Sequence, residues 1–267
     1  MTVSLNGPVS VSGARATEFC TQQGYAYRFD WGAEGLAALA SHADVVVIVD
    51  VLRFTTAVCC ALESDATVLP YRWADDGAAA YARANDAVLA GRREDGLLSL
   101  SPTDLLLAPA GTRLVLPSPN GSTLAFMARE MGVPHVLAGC LRNAGATANA
   151  ARALSGGGTV AIIAAGERWD APDGPLRPAI EDMLGAGAIL AALDPSASVS
   201  SPRCSPEAAA ARAAFVGARP RLYEELSGCA SGRELIARGW EDDVATAAAH
   251  DVSTAVCRLA VNEFRSL

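Results

Sequence analysis

The stretch Val45-Val46-Val47-Ile48-Val49-Asp50-Val51-Leu52-Arg53-Phe54-Thr55-Thr56-Ala57 joins a run of β-branched residues to a carboxylate, a guanidinium and two hydroxyls. The branched run reads as a strand buried on both faces. In open α/β sheets ligands bind beyond the carboxyl ends of the strands, so Asp50, Arg53, Thr55 and Thr56 are expected at the mouth of a cleft. An acid there carries a desolvation cost that a metal ion, hydrogen bonds or water must offset. Arg53 could grip a phosphate or sulfonate with its fork, and Thr55 and Thr56 could cap the next helix so that its first amides face the same anion. The same residues also allow a purely structural use, with Asp50 paired to Arg53 and Thr55 acting only as a cap.

A second anion-binding loop is suggested by Ser118-Pro119-Asn120-Gly121-Ser122, which lies between a strand and a helix. Gly121 permits close backbone approach, while Asn120 and Ser122 offer neutral hydrogen-bonding groups. Glu181-Asp182 stands near a helix start, where acids commonly serve the helix dipole. The pair could also complete a hard oxygen site with Asp50, suited to magnesium. Glu167, at a strand end, could orient or deprotonate a water. The turn holding Arg92, Arg93 and Glu94 could supply anion contacts or a closing loop, and is otherwise a charged surface turn. Glu241-Asp242-Asp243 is read as a solvated first turn of a helix.

Several chemistries are excluded by what these residues are not. All 21 basic residues are arginine, which removes Schiff-base lysine chemistry and the P-loop lysine. A haloacid-dehalogenase-type site would need a second Asp two positions after Asp50, where Leu52 stands. Neither a thiol-phosphatase loop nor a G-x-S-x-G elbow is present. The seven cysteines contain no C-x-x-C pair and read as reduced, mostly structural thiols. His42, His135 and His250 are at no ligand spacing from a cysteine, which argues against structural zinc.

With 267 residues, 51% of them apolar, the chain can bury a large core, and a net charge of −8 with dispersed arginines leaves no footprint for nucleic acid. No signal peptide and no membrane-spanning run is read, so a cytoplasmic protein is expected, with no membrane partner and with a homo-oligomer admissible. Residues 1–22 read as an N-terminal tail and 23–267 as the α/β domain. Within it, strands are expected at 25–29, 45–50, 66–71, 112–116, 135–138, 159–165 and 256–261. Helices are expected at 33–41, 55–63, 74–89, from the end of the 118–123 loop to about 131, at 142–154 and at 179–193, then through most of the chain to 255, with 194–206 a Ser/Pro-containing connection. This βαβα rhythm predicts a three-layer α/β/α architecture around a mostly parallel or mixed sheet, in one domain or two closely packed lobes.

Taken in order, Val49 to Thr56, the turn Gly91-Arg92-Arg93-Glu94-Asp95-Gly96 with Ser101-Pro102, Pro119-Asn120-Gly121-Ser122, Ala165-Gly166-Glu167, and Glu181-Asp182 with Ala186-Gly187 resemble the 2-phosphosulfolactate phosphatase family over residues 25–262. The resemblance implies a magnesium-dependent acid phosphatase that removes phosphate from 2-phospho-3-sulfolactate, a step in coenzyme M biosynthesis. On it, Asp50, Arg53 and Glu167 are the catalytic candidates, and Asp50, Glu181 and Asp182 the metal-side carboxylates. Thr55, Thr56, Arg92, Glu94, Asn120, Gly121 and Ser122 are the substrate-binding candidates. Phe54 stands where the family commonly has a small residue, and such departures beside the anion loops bear on which acid accompanies the phosphate. A protein that only binds a phosphorylated or sulfonated metabolite would keep Arg53 and the loops but have no use for the carboxylates.

Overall fold

The computed structural model describes residues 18–72, 77–95, 98–169, 174–195 and 202–267. The chain runs β1 (Tyr27–Trp31), α1 (Gly32–Leu39), β2 (Val45–Val49), α2 (Phe54–Glu63), β3 (Thr67–Tyr71), α3 (Gly77–Ala84), β4 (Val88–Leu89) and α4 (Pro102–Leu105). It continues through β5 (Arg113–Pro117), α5 (Gly121–Glu130), β6 (His135–Gly139), α6 (Ala144–Ser155), β7 (Val160–Ala164), the short strands β8 (Glu167–Arg168) and β9 (Leu176–Arg177), and α7 (Ile180–Leu193). Four helices, α8 (Pro206–Ala218), α9 (Leu222–Gly228), α10 (Ala230–Ala237) and α11 (Glu241–Ala248), precede β10 (Cys257–Ala260) and β11 (Glu263–Ser266).

Among the described residues one nine-stranded sheet runs in the order β1-β7-β2-β6-β10-β11-β3-β5-β4. The pairings of β1 with β7, of β2 with β7 and β6, and of β5 with β3 and β4 are parallel, whereas β10 and β11 pair antiparallel to each other and to β6 and β3. The sheet is therefore mixed and mostly parallel, in three layers as the sequence predicts. Strand β2 shows why its residues are all branched. Val46 and Ile48 enter the core beneath α2 and α5, while Val45, Val47 and Val49 enter the opposite core, shared with α6, α7 and α8. Period-2 side chains then leave no face for a polar residue, so the first ionisable group can appear only where the strand ends.

Several boundaries differ from the sequence reading, each for a local reason. The helix expected over 74–89 ends at Ala84, because Asn85 and Asp86 turn the chain, with Asp86 at φ +48°, into β4. Its expected first-turn acids, Asp75 and Asp76, lie outside the described residues. The polar break at Ser101-Pro102 is the start of α4: Ser101 accepts from Asp104 N and Pro102 fills the first helical turn. The single strand expected over 256–261 is a hairpin, since Val261 takes φ +57° and returns the chain as β11. Strand pairing of Glu167 with Arg177 and Arg168 with Leu176 makes a small hairpin after β7. Residues 1–17, Gly96, and residues 196–201 of the 194–206 connection lie outside the described residues. All seven cysteines are free thiols, and only Cys20 is exposed. No helix among the described residues is long and apolar enough to cross a membrane.

Candidate active site

Asp50 is the first residue beyond β2 and is buried. Its Oδ1 accepts from Phe54 N at 3.1 Å and its Oδ2 from Gly121 N at 3.1 Å, so one carboxylate spans the first amides of α2 and α5. The positive ends of two helices are thereby trained on a single acid. Only glycine admits this approach at 121. A Cβ there would lie 2.2 Å from Phe54 Cδ1 and 2.9 Å from Asp50 Oδ2.

A second carboxylate performs a similar service one layer away. Asp182, in the first turn of α7, accepts from Val51 N at 2.7 Å and from Gly166 N at 2.8 Å, pinning the loops that follow β2 and β7. Glu181 beside it is also buried. Glu167, on β8, is half-buried and accepts from Asn120 Nδ2 at 3.2 Å. Asp50, Asn120, Gly121, Glu167, Glu181 and Asp182 are thus gathered from four separate segments of the chain.

Crowding of these acids shows in their titration. Burial pushes the Asp50 carboxyl up to about 6, opposed by its two amide donors and by Arg53, and reinforced by Glu181. Burial, then the charges of Asp50 and Glu181, pushes Glu167 up to about 7. Asp182 is raised well above the carboxylate range by burial first and then by the same two neighbours. Desolvation and like charge both favour the neutral acids.

Other candidates are placed differently. The Thr55 hydroxyl donates to Asp50 O at 2.8 Å and accepts from Asp50 N at 3.0 Å, and Thr56 Oγ1 donates to Val51 O at 2.7 Å. Both are fully buried, so they brace the strand-to-helix turn and do not cap α2; the residue at the cap position is Arg53, without a side-chain cap bond. Ser122 is turned inward toward Leu116 O, 3.4 Å away. Arg92 and Glu94 are exposed. Their neighbour Arg93 is the one that faces inward, forking onto Asp242 at 2.7 and 3.2 Å.

The pairing of Asp50 with Arg53 that the sequence allowed is not made: Arg53 Nη1 donates instead to Asp243 Oδ2 at 2.6 Å. This also corrects the reading of Glu241-Asp242-Asp243 as a solvated turn, because Asp243 is fully buried. Its second oxygen accepts from Ser101 Oγ at 2.5 Å. Nothing local announces such a contact. The partners are 190 positions apart, and the only trace in the sequence is that the acidic run follows Trp240, whose ring meets the Arg53 guanidinium.

Fold and site together define an α/β protein with an acid cluster at the strand ends, faced by helix amides and by arginine charge from Arg53 and Arg177. The family model for 2-phosphosulpholactate phosphatase matches residues 34–262, and the chain belongs to that family. Among curated proteins it is similar to the "Probable 2-phosphosulfolactate phosphatase" of Thermus thermophilus, 34% identical over 155 residues. That match covers 56% of this chain and 61% of the relative's length.

Proposed function

We propose that the protein is a magnesium-dependent phosphatase for the phosphate ester of a small acid, first of all 2-phospho-3-sulfolactate, which it converts to 3-sulfolactate and phosphate. The observation that carries this reading is the Asp50 carboxylate strung between Phe54 N and Gly121 N, with Asp50 and Glu167 both raised by burial first and by neighbouring acids second. Membership in the phosphatase family supports it.

The donor set suits magnesium. Asp50, Glu181 and Asp182 offer only carboxylate oxygens, and a divalent cation would relieve the repulsion among them. No three Asp, Glu, His or Cys side chains among the described residues form a metal cage. Magnesium is commonly held by one or two carboxylates with water and substrate phosphate completing its shell. When bound, it would supply Lewis-acid polarisation of the phosphoryl oxygens.

The chain's own groups divide the remaining work. Arg53 adds fixed positive charge against the phosphate. Asn120 orients Glu167, and a carboxyl near 7 exchanges its proton at neutral pH, as a group serving the attacking water or the leaving oxygen must. Two routes use this geometry, direct attack by water and attack by Asp50 to form an acyl phosphate. Borohydride reduction after a rapid quench separates them, because it captures an acyl phosphate at position 50 and leaves a free carboxylate unchanged.

The deciding experiment incubates purified protein with 2-phosphosulfolactate, phospholactate and phosphoglycolate, with and without magnesium. Magnesium-dependent phosphate release is expected, with Asp50→Asn slowing it roughly 100-fold or more. No release from any ester, with phosphate affinity intact in Asp50→Asn, would leave a binding protein in its place.

A further inference from the structure

We propose that Asp243 is a positioning residue for Arg53, fixing its guanidinium so that the unused donors of the fork are presented to the substrate phosphate. The proposal rests on the reading of Arg53 as the anion clamp.

The guanidinium is held on two sides. Nη1 bonds Asp243 at 2.6 Å, and its carbon lies 4.7 Å from the centroid of the Trp240 ring. Trp240 caps α11 and Asp243 belongs to the first turn of that helix, so one helix start supplies both the counter-charge and the aromatic face. Asp243 cannot swing away, because Ser101 donates to its other oxygen. Arg93 forks onto the adjacent Asp242 and brings Nη1 to 3.6 Å from Asp243 Oδ2, tying the same turn to the 93–95 segment. The brace is therefore rigid from both ends.

The bond to Asp243 does not use up the fork. A guanidinium carries five N–H donors, and a hydrogen bond from one of its nitrogens, Nη1, is given to Asp243. None of its nitrogens is among the buried polar atoms left without a partner. Arg53 also acts electrostatically on Asp50, which puts its charge within reach of the acid cluster. A planar fork with its orientation already fixed loses little freedom on meeting a phosphate, and misplacement of such a clamp is costly to rate.

The test measures calorimetric affinity for inorganic phosphate, and kcat and KM with the best ester, for Asp243→Asn, Asp243→Glu, Arg53→Ala and the double variant Asp243→Asn/Arg53→Ala. Asp243→Asn is expected to weaken phosphate binding and to lower kcat/KM about 100-fold. Asp243→Glu should recover part of the loss, and Asp243→Asn should add almost nothing once Arg53 is Ala. Unchanged phosphate affinity in Asp243→Asn, or losses that simply add in the double variant, would overturn the proposal. If Asp243→Asn does not fold, Trp240→Leu loosens the other side of the same guanidinium, and unchanged phosphate affinity there overturns it equally. Absence of turnover from every ester would strike the phosphatase reading, while the phosphate-binding measurements still decide the role of Asp243.

Discussion

Glu167 carries the clearest consequence of local environment at the scale of a single residue. Its carboxyl is raised from an ordinary 4.5 to about 7 by burial and by the neighbouring acids. The folded form therefore keeps a proton that the unfolded chain releases earlier. In metal-free protein, the stability this group contributes is complete below about pH 4.5 and is lost as pH rises through about 7. Urea unfolding across pH 5 to 8 checks this. Glu167→Gln is expected to flatten the decline, and an equally steep decline in the variant would assign it elsewhere. Asp50 was legible in the sequence for a related reason, since a carboxylate closing an unbroken apolar run must be compensated. Thr55 and Thr56 were not, because a hydroxyl near a helix start has backbone groups within reach as well as any ligand, and here it takes the backbone.

Among the elements, α7 and α8 show how close packing rests on one missing methyl. A Cβ on Gly187 would lie 2.2 Å from Ala211 O and 2.7 Å from Phe215 Cβ, and a backbone carbonyl cannot step aside. Gly187→Ala is expected to separate these helices at a cost of about 1–3 kcal/mol. Denaturant unfolding measures it, and a loss of under about 0.5 kcal/mol would show that the helices slide freely. Since α7 also carries Glu181 and Asp182, some loss of activity should accompany the loss of stability. The paired motif Ala186-Gly187 was visible in the sequence; its partner helix was not. Local periodicity reveals an element such as β2, whose five residues satisfy two cores at once. It says nothing of which elements meet, so the docking of α11 through Asp243 onto the loop after β2 stayed hidden. Short elements such as α4 and β8 escape for a different reason, having too few residues to establish a period.

For the whole molecule, the proposed magnesium site would link stability to the cation. Magnesium at about 100 times its Kd is expected to stabilise the fold by roughly 2.7 kcal/mol, and a chelator to remove that gain together with phosphate release. A Tm series with and without magnesium reads this out; identical curves for wild type and Asp50→Asn would detach the effect from the site. The alternation of strands and helices was enough to foresee three layers. The order of strands was not foreseeable, because the hairpin that comes last in the sequence does not lie at an edge of the sheet.

Strands β10 and β11 stand between β6 and β3, and this fixes when during synthesis the sheet can be finished. A ribosome that has delivered only residues up to 256 has supplied β1, β7, β2 and β6 on one side and β3, β5 and β4 on the other, but not the two strands that join them. Each block then offers an unpaired inner edge, of the kind that templates association between chains. The emerging chain thus carries two open edges until β10 and β11 arrive.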